Sequence, residues 1–317
     1  MAVGVNNQVR IKRPPRNLPA PEDFEVTQGE IRRPAGGQLL CRALWLSLDR
    51  WVTPPLVGTL APAQGVCEVI ESRNDVFNVG DHVVVDCGLQ NYFLSDGTNV
   101  RKLHPGQSPS TTALSILGQA GMSAYFGLLD RAQLRANETV LVSAAAYAPG
   151  FMAGQIAKIK GARAIGIAGS KEKCDWATRH ARFAGCINYR TENLNARLKE
   201  LAPGGVNIYF DNTGGLLLDQ IASGRHLAAD SRIVLNNSIA PNPGIAPFID
   251  SRAGVLPLNA YEFEPRREQF LRDAIAWHGE GLLAYKEDVV DGLQSAPAQF
   301  CKLMRGENFG VPLIRMQ

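Results

Sequence analysis

Hydrophobic positions follow two regimes along this chain. Over residues 39–48, 65–71, 81–86, 90–96 and 100–103, short apolar stretches alternate with polar positions, and Gly, Pro, Asp and Asn fill the gaps between them. A period of two with turn residues at the breaks predicts short strands, and several in succession predict a small, partly open barrel. Beyond Ser108-Pro-Ser110 the period lengthens, and helices are expected near 114–117 and 121–129. Strand and helix then alternate. Strands are predicted at 139–143, 163–168, 186–187, 207–211 and 232–235, with helices at 150–160, 171–179, 194–201 and 216–226. Such alternation is the pattern of a doubly wound parallel sheet. A Pro/Asn/Gly-rich loop over 239–249 precedes an amphipathic helix over 265–277, and the chain closes with a helix at 300–304 and a strand at 311–315.

The closing β segment is too short to be a domain. Returning it to the first region predicts a discontinuous domain of residues 1–115 and 285–317 and a dinucleotide-binding-type domain of 116–284, with a cleft between barrel and sheet. Residues 1–40 read as a polar, Pro-rich extended segment, and the basic run Arg10 to Arg16 as a solvated arm.

Composition narrows the partners. The 317 residues are 45% hydrophobic and 20% charged, within the range of globular proteins, and the net charge of +3 does not argue for nucleic acid. No apolar run reaches the ~20 residues of a membrane span, and the N-terminus lacks a signal-peptide core. The expectation is a soluble cytoplasmic protein with a small-molecule partner and no membrane. Six scattered cysteines and five scattered histidines lack zinc-ligand spacing, so no metal is expected.

Chemistry concentrates at Thr139-Val-Leu-Val142, the small residues that follow, and the helix after Pro149-Gly150. A strand, a tight small-residue turn and a helix N-terminus together present backbone N–H groups to a phosphate. Tyr147 and Pro149 run against that reading, because a phenol ring fills space and proline carries no N–H.

Several motifs in order resemble one family: Leu46-Ser-Leu-Asp49, Ser95-Asp-Gly97, Ala124-Tyr-Phe-Gly-Leu128, Gly154-Gln-Ile-Ala-Lys158, Gly166-Ile-Ala-Gly-Ser-Lys-Glu-Lys-Cys174, Phe210-Asp-Asn-Thr-Gly-Gly215, Ser231-Arg-Ile-Val-Leu235 and Arg305-Gly-Glu-Asn-Phe-Gly310. The chain is similar to the zinc-free branch of the medium-chain dehydrogenase/reductases, which holds leukotriene B4 dehydrogenase, prostaglandin reductases and curcumin reductase. The resemblance implies an α/β protein, a Rossmann doubly wound parallel sheet plus a GroES-like partly open β-barrel domain. It also implies NADPH-dependent reduction of a carbonyl-conjugated C=C bond, and dimerisation through the edge of the Rossmann sheet.

Residue by residue, NAD-preferring sheets carry an acid at the end of the second strand; here Ala168-Gly169-Ser170 has none, and Lys173 follows. By resemblance Ser170, Lys173 and Tyr189 hold the 2′-phosphate. Ala145, Gly150 and Asn212 belong to the cofactor surface, and Asn308 reaches toward the cofactor across the cleft. Tyr261 stands close to the family's substrate-site tyrosine and is the candidate catalytic proton donor. Trp51, Tyr92, Tyr147 and Asn237 are candidates for the substrate pocket. For Trp51 and Tyr92, plain packing competes with that role.

The departures open a second reading. The family's Ala-Ala-Ser-Gly-Ala-Val-Gly is Ala144-Ala-Ala-Tyr-Ala-Pro-Gly150 here, and its Cys-Gly after the Arg-Ile-Val-Leu strand is Asn236-Asn237. The first reading is an NADPH-dependent double-bond reductase acting on a specialised apolar substrate. The alternative is a non-redox cyclase, isomerase or lyase whose dinucleotide site, marked by Tyr147, Pro149 and Asn237, is degraded so that NADPH is weakened or lost. A non-catalytic binding protein ranks last.

Overall fold

The computed structural model describes residues 4–15, 17–49, 56–223, 226–236 and 253–317. Two compact units divide the chain, one of Met1–Leu114 with Glu287–Gln317, the other of Ser115–Lys286.

In the first unit, β1 (Asn6–Ile11) and β2 (Phe24–Gly29) form an antiparallel pair. Next come β3 (Leu39–Ser47), β4 (Gln64–Ser72), β5 (His82–Asp86), β6 (Tyr92–Ser95) and β7 (Arg101–Lys102). Strand β3 pairs antiparallel with both β4 and β6, and β4 continues to β5 and β7. The chain returns at β14 (Glu287–Asp291), α7 (Ala296–Met304) and β15 (Val311–Arg315). Strand β15 joins the sheet beside β3, with Leu313 opposite Ser47, and Phe300 of α7 packs edge-on against Phe24 at 5.8 Å between ring centroids. This is the partly open, GroES-like β architecture.

The described residues before β3 are more tied to the fold than their composition suggests. Asn6 and Gln8 of β1 are buried, and both donate to Gln90 Oε1, at 3.3 and 3.0 Å. Buried polar side chains satisfied this way leave no apolar alternation for a sequence reading to find. Nor is the basic run wholly solvated, since Arg13 pairs with Asp23 at 2.6 Å and Arg10 bonds Gly58 O at 2.7 Å.

The second unit carries a six-stranded, all-parallel sheet. Its strands are β8 (Thr139–Val142), β9 (Arg163–Ala168), β10 (Gly185–Asn188), β11 (Val206–Asp211), β12 (Leu227–Asn236) and β13 (Gly254–Leu258), in the order β10-β9-β8-β11-β12-β13. Numbered within the sheet this is 3-2-1-4-5-6, the Rossmann order, in which ligands gather outside the carboxyl ends of the strands. Helices α2 (Ala148–Ile159), α3 (Lys171–Arg179), α4 (Leu194–Leu201) and α5 (Gly215–Ser223) connect successive strands, while α1 (Gln119–Phe126) precedes the sheet and α6 (Arg267–Gly279) follows it. Leu141, Ile165, Ile167, Ile187, Tyr209, Ile233 and Leu235 are buried in one apolar cluster, so the strands are covered as a parallel sheet requires.

Helix α2 starts earlier than Gly150. Tyr147 is its N-cap, extended at φ −116° and ψ 156°, and Pro149 lies within the first turn. Proline costs nothing there, since a first-turn N–H has no partner inside the helix, and its fixed φ suits helix entry. Pro149 therefore initiates α2 rather than interrupting the turn.

Candidate cofactor site

Two loops at the carboxyl edge of the parallel sheet carry the features of a dinucleotide site. The first joins β8 to α2. Ala144 sits at φ +51°, and its carbonyl accepts from Tyr147 N–H at 2.9 Å, which folds the turn tightly. A Cβ on Gly150 would overlap Ala144 O, so only glycine lets the helix start lie against the turn. One helical turn later, a Cβ on Gly154 would overlap the Phe183 ring, so that glycine serves close packing of α2. Ala145 is fully buried, and its N–H donates to Ile167 O at 3.0 Å. Phe151 N–H makes the first regular bond of α2, to Tyr147 O at 2.9 Å. The turn has the shape of a phosphate cradle with several of its donors already consumed.

The second loop joins β9 to α3. Ser170 is the N-cap of α3, and its Oγ accepts from Lys173 N–H at 3.2 Å, which leaves the hydroxyl proton to donate outward. Tyr189 follows β10 and is tied to β9 by its N–H to Ala168 O at 3.2 Å, with half of its surface exposed. A Cβ on Gly169 would stand 3.2 Å from Tyr189 Oη and 3.4 Å from Arg190 Nε, so both side chains close over this glycine. The Arg190 guanidinium lies 5.8 Å from the Tyr189 ring centroid. Tyr189 and Arg190 thus bring a hydroxyl and a cation over Gly169 beside the Ser170 hydroxyl, and Lys173 lies with Glu172 in the first turn of the helix that Ser170 caps. Arg190 was missed by the sequence reading. A basic residue directly after a matched tyrosine was its only signal.

Between these loops and β12 lies a buried polar network. Asn212 is fully buried; its N–H donates to Ser143 Oγ at 2.8 Å and its Nδ2 to Ser143 O at 2.9 Å. Because that carbonyl can only accept, Asn212 Oδ1 faces the other way and receives Asn236 Nδ2 at 3.0 Å. Among the described residues, Asn236 Oδ1 is then left buried with no hydrogen-bond partner. A lost acceptor costs about 1–3 kcal/mol. Asp211 completes the network, accepting from Ser143 Oγ at 3.1 Å, Tyr209 Oη at 2.8 Å and Gly214 N–H at 2.9 Å. Burial first, and then the Asp211 carboxylate, hold the Tyr209 phenol well above its usual pKa. Asn212 is spent on fixing strand ends.

Other sequence candidates separate. Tyr261 is 55% exposed, three residues past Leu258 at the carboxyl end of β13, where Asn259 Oδ1 holds its N–H at 3.1 Å. In the first unit, Asn308 is buried and donates from Nδ2 to Gly310 O at 2.8 Å, shaping its own loop. Tyr92 bonds Asn6 Oδ1 through its N–H at 3.0 Å, and its hydroxyl would stand 3.2 Å from a Cβ on Gly4, so it packs on the N-terminal segment. Tyr147 is partly buried at the helix start. Trp51 and Asn237 lie outside the described residues. Among the described residues no group of three or more His, Cys, Asp or Glu could hold a metal ion, and no helix is long and apolar enough to cross a membrane.

A Rossmann sheet and a GroES-like unit in one chain, with an acid-free second strand end, define the class of medium-chain dehydrogenase/reductases. Residues 7–103 match the N-terminal domain of oxidoreductases and residues 149–235 the zinc-binding dehydrogenase family. Prostaglandin reductase 1 of Bos taurus is 36% identical, over 94% of this chain and 95% of that protein. The NADPH-dependent curcumin reductase of Escherichia coli (strain K12) is 33% identical, over 95% of this chain and 94% of that protein. Among solved structures, CurA of Vibrio vulnificus in complex with NADPH superposes with a TM-score of 0.89 at 30% identity, covering 98% of this chain and 99% of that one. The chain belongs to the zinc-free branch of the medium-chain dehydrogenase/reductases, the branch of prostaglandin reductase 1 and curcumin reductase.

Proposed function

We propose that this protein is an NADPH-dependent reductase of C=C bonds conjugated to a carbonyl, acting on an apolar small molecule. The observation that carries the cofactor reading is the loop end of Gly169, Ser170, Lys173, Tyr189 and Arg190. Cations and hydroxyls there favour a 2′-phosphate by charge and hydrogen bonding, and the end of β9 at Ala168-Gly169-Ser170 offers no carboxylate to a ribose 2′-OH. The β8–α2 turn, with the N-terminus of α2, would take the pyrophosphate. Reductases named for prostaglandin, curcumin and alkenal substrates support the reaction class. None of those relatives favours the non-redox reading.

Bound NADPH supplies hydride for the carbon β to the carbonyl. The α-carbon then needs a proton, and Tyr261 is the group we assign as its donor. The Ser143–Asp211–Asn212–Asn236 network ties the ends of β8, β11 and β12 together and would keep that edge of the sheet rigid when cofactor binds.

Substrate-dependent loss of NADPH absorbance with a conjugated enal or enone tests the reaction. Saturating NADPH should also raise the melting temperature, since a ligand at a hundredfold excess over its Kd stabilises by about 2.7 kcal/mol. No turnover and no stabilisation together would overturn the reading. Tyr261→Phe should lower kcat while leaving the NADPH Kd unchanged; an unaltered kcat would remove Tyr261 from the reaction.

A further inference from the structure

Two thiols meet where the proposed reaction uses neither. Cys174 lies on α3 directly after Lys173, and Cys186 on β10 three residues before Tyr189. Their sulfurs are 2.9 Å apart, with Cys186 Sγ donating to Cys174 Sγ. A disulfide stands at about 2.0 Å, so closing the bond needs a shift of about 1 Å. The two elements they join are the ones that carry Ser170 and Lys173 on one side and Tyr189 and Arg190 on the other.

The chemistry at the pair is directional. Accepting the bond from Cys186 holds the Cys174 thiol below its usual pKa; donating it, together with burial, pushes Cys186 up. Cys174 is therefore the readier thiolate, and the thiolate is the nucleophile. Both residues are buried, at 8% and 9% exposure, so only an oxidant as small as hydrogen peroxide suits the pair.

We propose that Cys174 and Cys186 form a reversible disulfide on exposure to a hydroperoxide, and that this cross-link changes the grip on the cofactor's 2′-phosphate. Cys174 thiolate attacks one peroxide oxygen; the O–O bond breaks, a sulfenic acid forms, and the hydroxide released takes up the proton the thiol lost, giving water. The sulfur of Cys186 then displaces the sulfenic hydroxyl, forming the S–S bond and releasing a second water. Two thiols lose two electrons, and hydrogen peroxide gains them. The disulfide stands on the geometry alone. Its effect on binding rests on the cofactor reading above.

The test treats the folded full-length chain with hydrogen peroxide, then alkylates, digests and maps peptides by mass. The expected result is a loss of two of the six thiols, a Cys174–Cys186 cross-linked peptide, and recovery with a dithiol reductant. Cys301→Ser should keep the cross-link. Cys186→Ser should abolish it and leave Cys174 as a sulfenic acid that a dimedone probe traps. No cross-link in protein with unchanged circular dichroism, or one that maps to Cys41, Cys67 or Cys87, overturns the proposal. A cross-link that forms only in denaturant overturns it as well. For the second part, the Kd of 2′,5′-ADP is compared between oxidised and reduced protein. A several-fold change that the reductant reverses supports the clamp, and equal values overturn it. If neither state binds 2′,5′-ADP or NADPH, the cofactor reading fails together with the clamp, while the peptide map still decides the disulfide.

Discussion

Two neighbouring turns of one sheet have drawn opposite solutions from the same topology. At β8–α2, Ala145, Tyr147 and Phe151 have their N–H groups bonded within the protein, Pro149 has none, and Gly150 is pressed against Ala144. At β9–α3, Tyr189 and Arg190 close over Gly169, the Ser170 hydroxyl caps α3, and Lys173 stands in the first turn of that helix. One turn is closed and poor in donors; the other is open and cationic. If both face one dinucleotide, its binding energy is displaced toward the 2′-phosphate, and the preference for NADPH over NADH should be steep.

The sharpest way to break that comparison is to empty the open turn. Lys173→Ala combined with Arg190→Ala should weaken NADPH by a hundredfold or more, since a hydrogen bond to a charged group is worth about 1.5–3 kcal/mol and every 1.4 kcal/mol is about tenfold. NADH affinity, measured by the same fluorescence titration, should stay constant. A parallel fall in both would mean that the pair supports the fold rather than the phosphate.

Crowding the closed turn comes next. Gly150→Ala places a Cβ on Ala144 O, and overpacking of this kind costs about 1–3 kcal/mol. The melting temperature should drop, and NADPH and NADH should weaken together. A variant as stable as the parent would show that the turn yields.

Reopening the closed turn has a smaller effect of opposite sign. Pro149→Ala restores one first-turn N–H, and a single hydrogen bond contributes about 0.5–1.5 kcal/mol net. Affinity for NADPH and NADH should rise by the same few-fold factor, because both carry the pyrophosphate. Adding Tyr147→Gly should increase the gain if the ring occupies phosphate space. No rise in either variant would mean that the turn already accommodates the pyrophosphate in its present shape.

The same contrast explains what the sequence could reveal. Rossmann alternation was legible because buried parallel strands must be apolar runs and the turns between them small. The β1–β2 pair stayed hidden because Asn6 and Gln8 are buried by hydrogen bonding to Gln90 rather than by hydrophobicity. Pro149 read as part of the turn before the helix, yet it lies in the first turn of α2, the one place in a helix where a missing N–H costs nothing. Arg190 went unnoticed because its role comes from closure over Gly169, a contact between two loops with no spacing signature. Asn212 read as a ligand from its strand-end position and Asn308 from the resemblance; in the fold Asn212 Nδ2 bonds Ser143 O and Asn308 Nδ2 bonds Gly310 O. Local pattern reports backbone shape well; which donors remain open depends on contacts that no local pattern encodes.

The finest test of the comparison uses pH, because only the open turn is paired with a group that titrates in the neutral range. The second ionisation of a phosphate monoester lies near about 6, whereas a pyrophosphate diester link stays charged well below that. Cations at Lys173 and Arg190 favour the 2′-phosphate dianion, so its pKa in the complex falls below that of the free ligand. The sign follows from linkage: the extra affinity is fully present above about pH 6 and is lost as pH falls through the window between the free and bound values. The NADPH-to-NADH affinity ratio should therefore decline on acidification while NADH binding stays level, and Lys173→Ala should flatten the slope. A ratio that holds constant down to pH 5 would place the discrimination in shape rather than charge, and the open turn would then have to select by the fit of Gly169 and Tyr189 around the ribose.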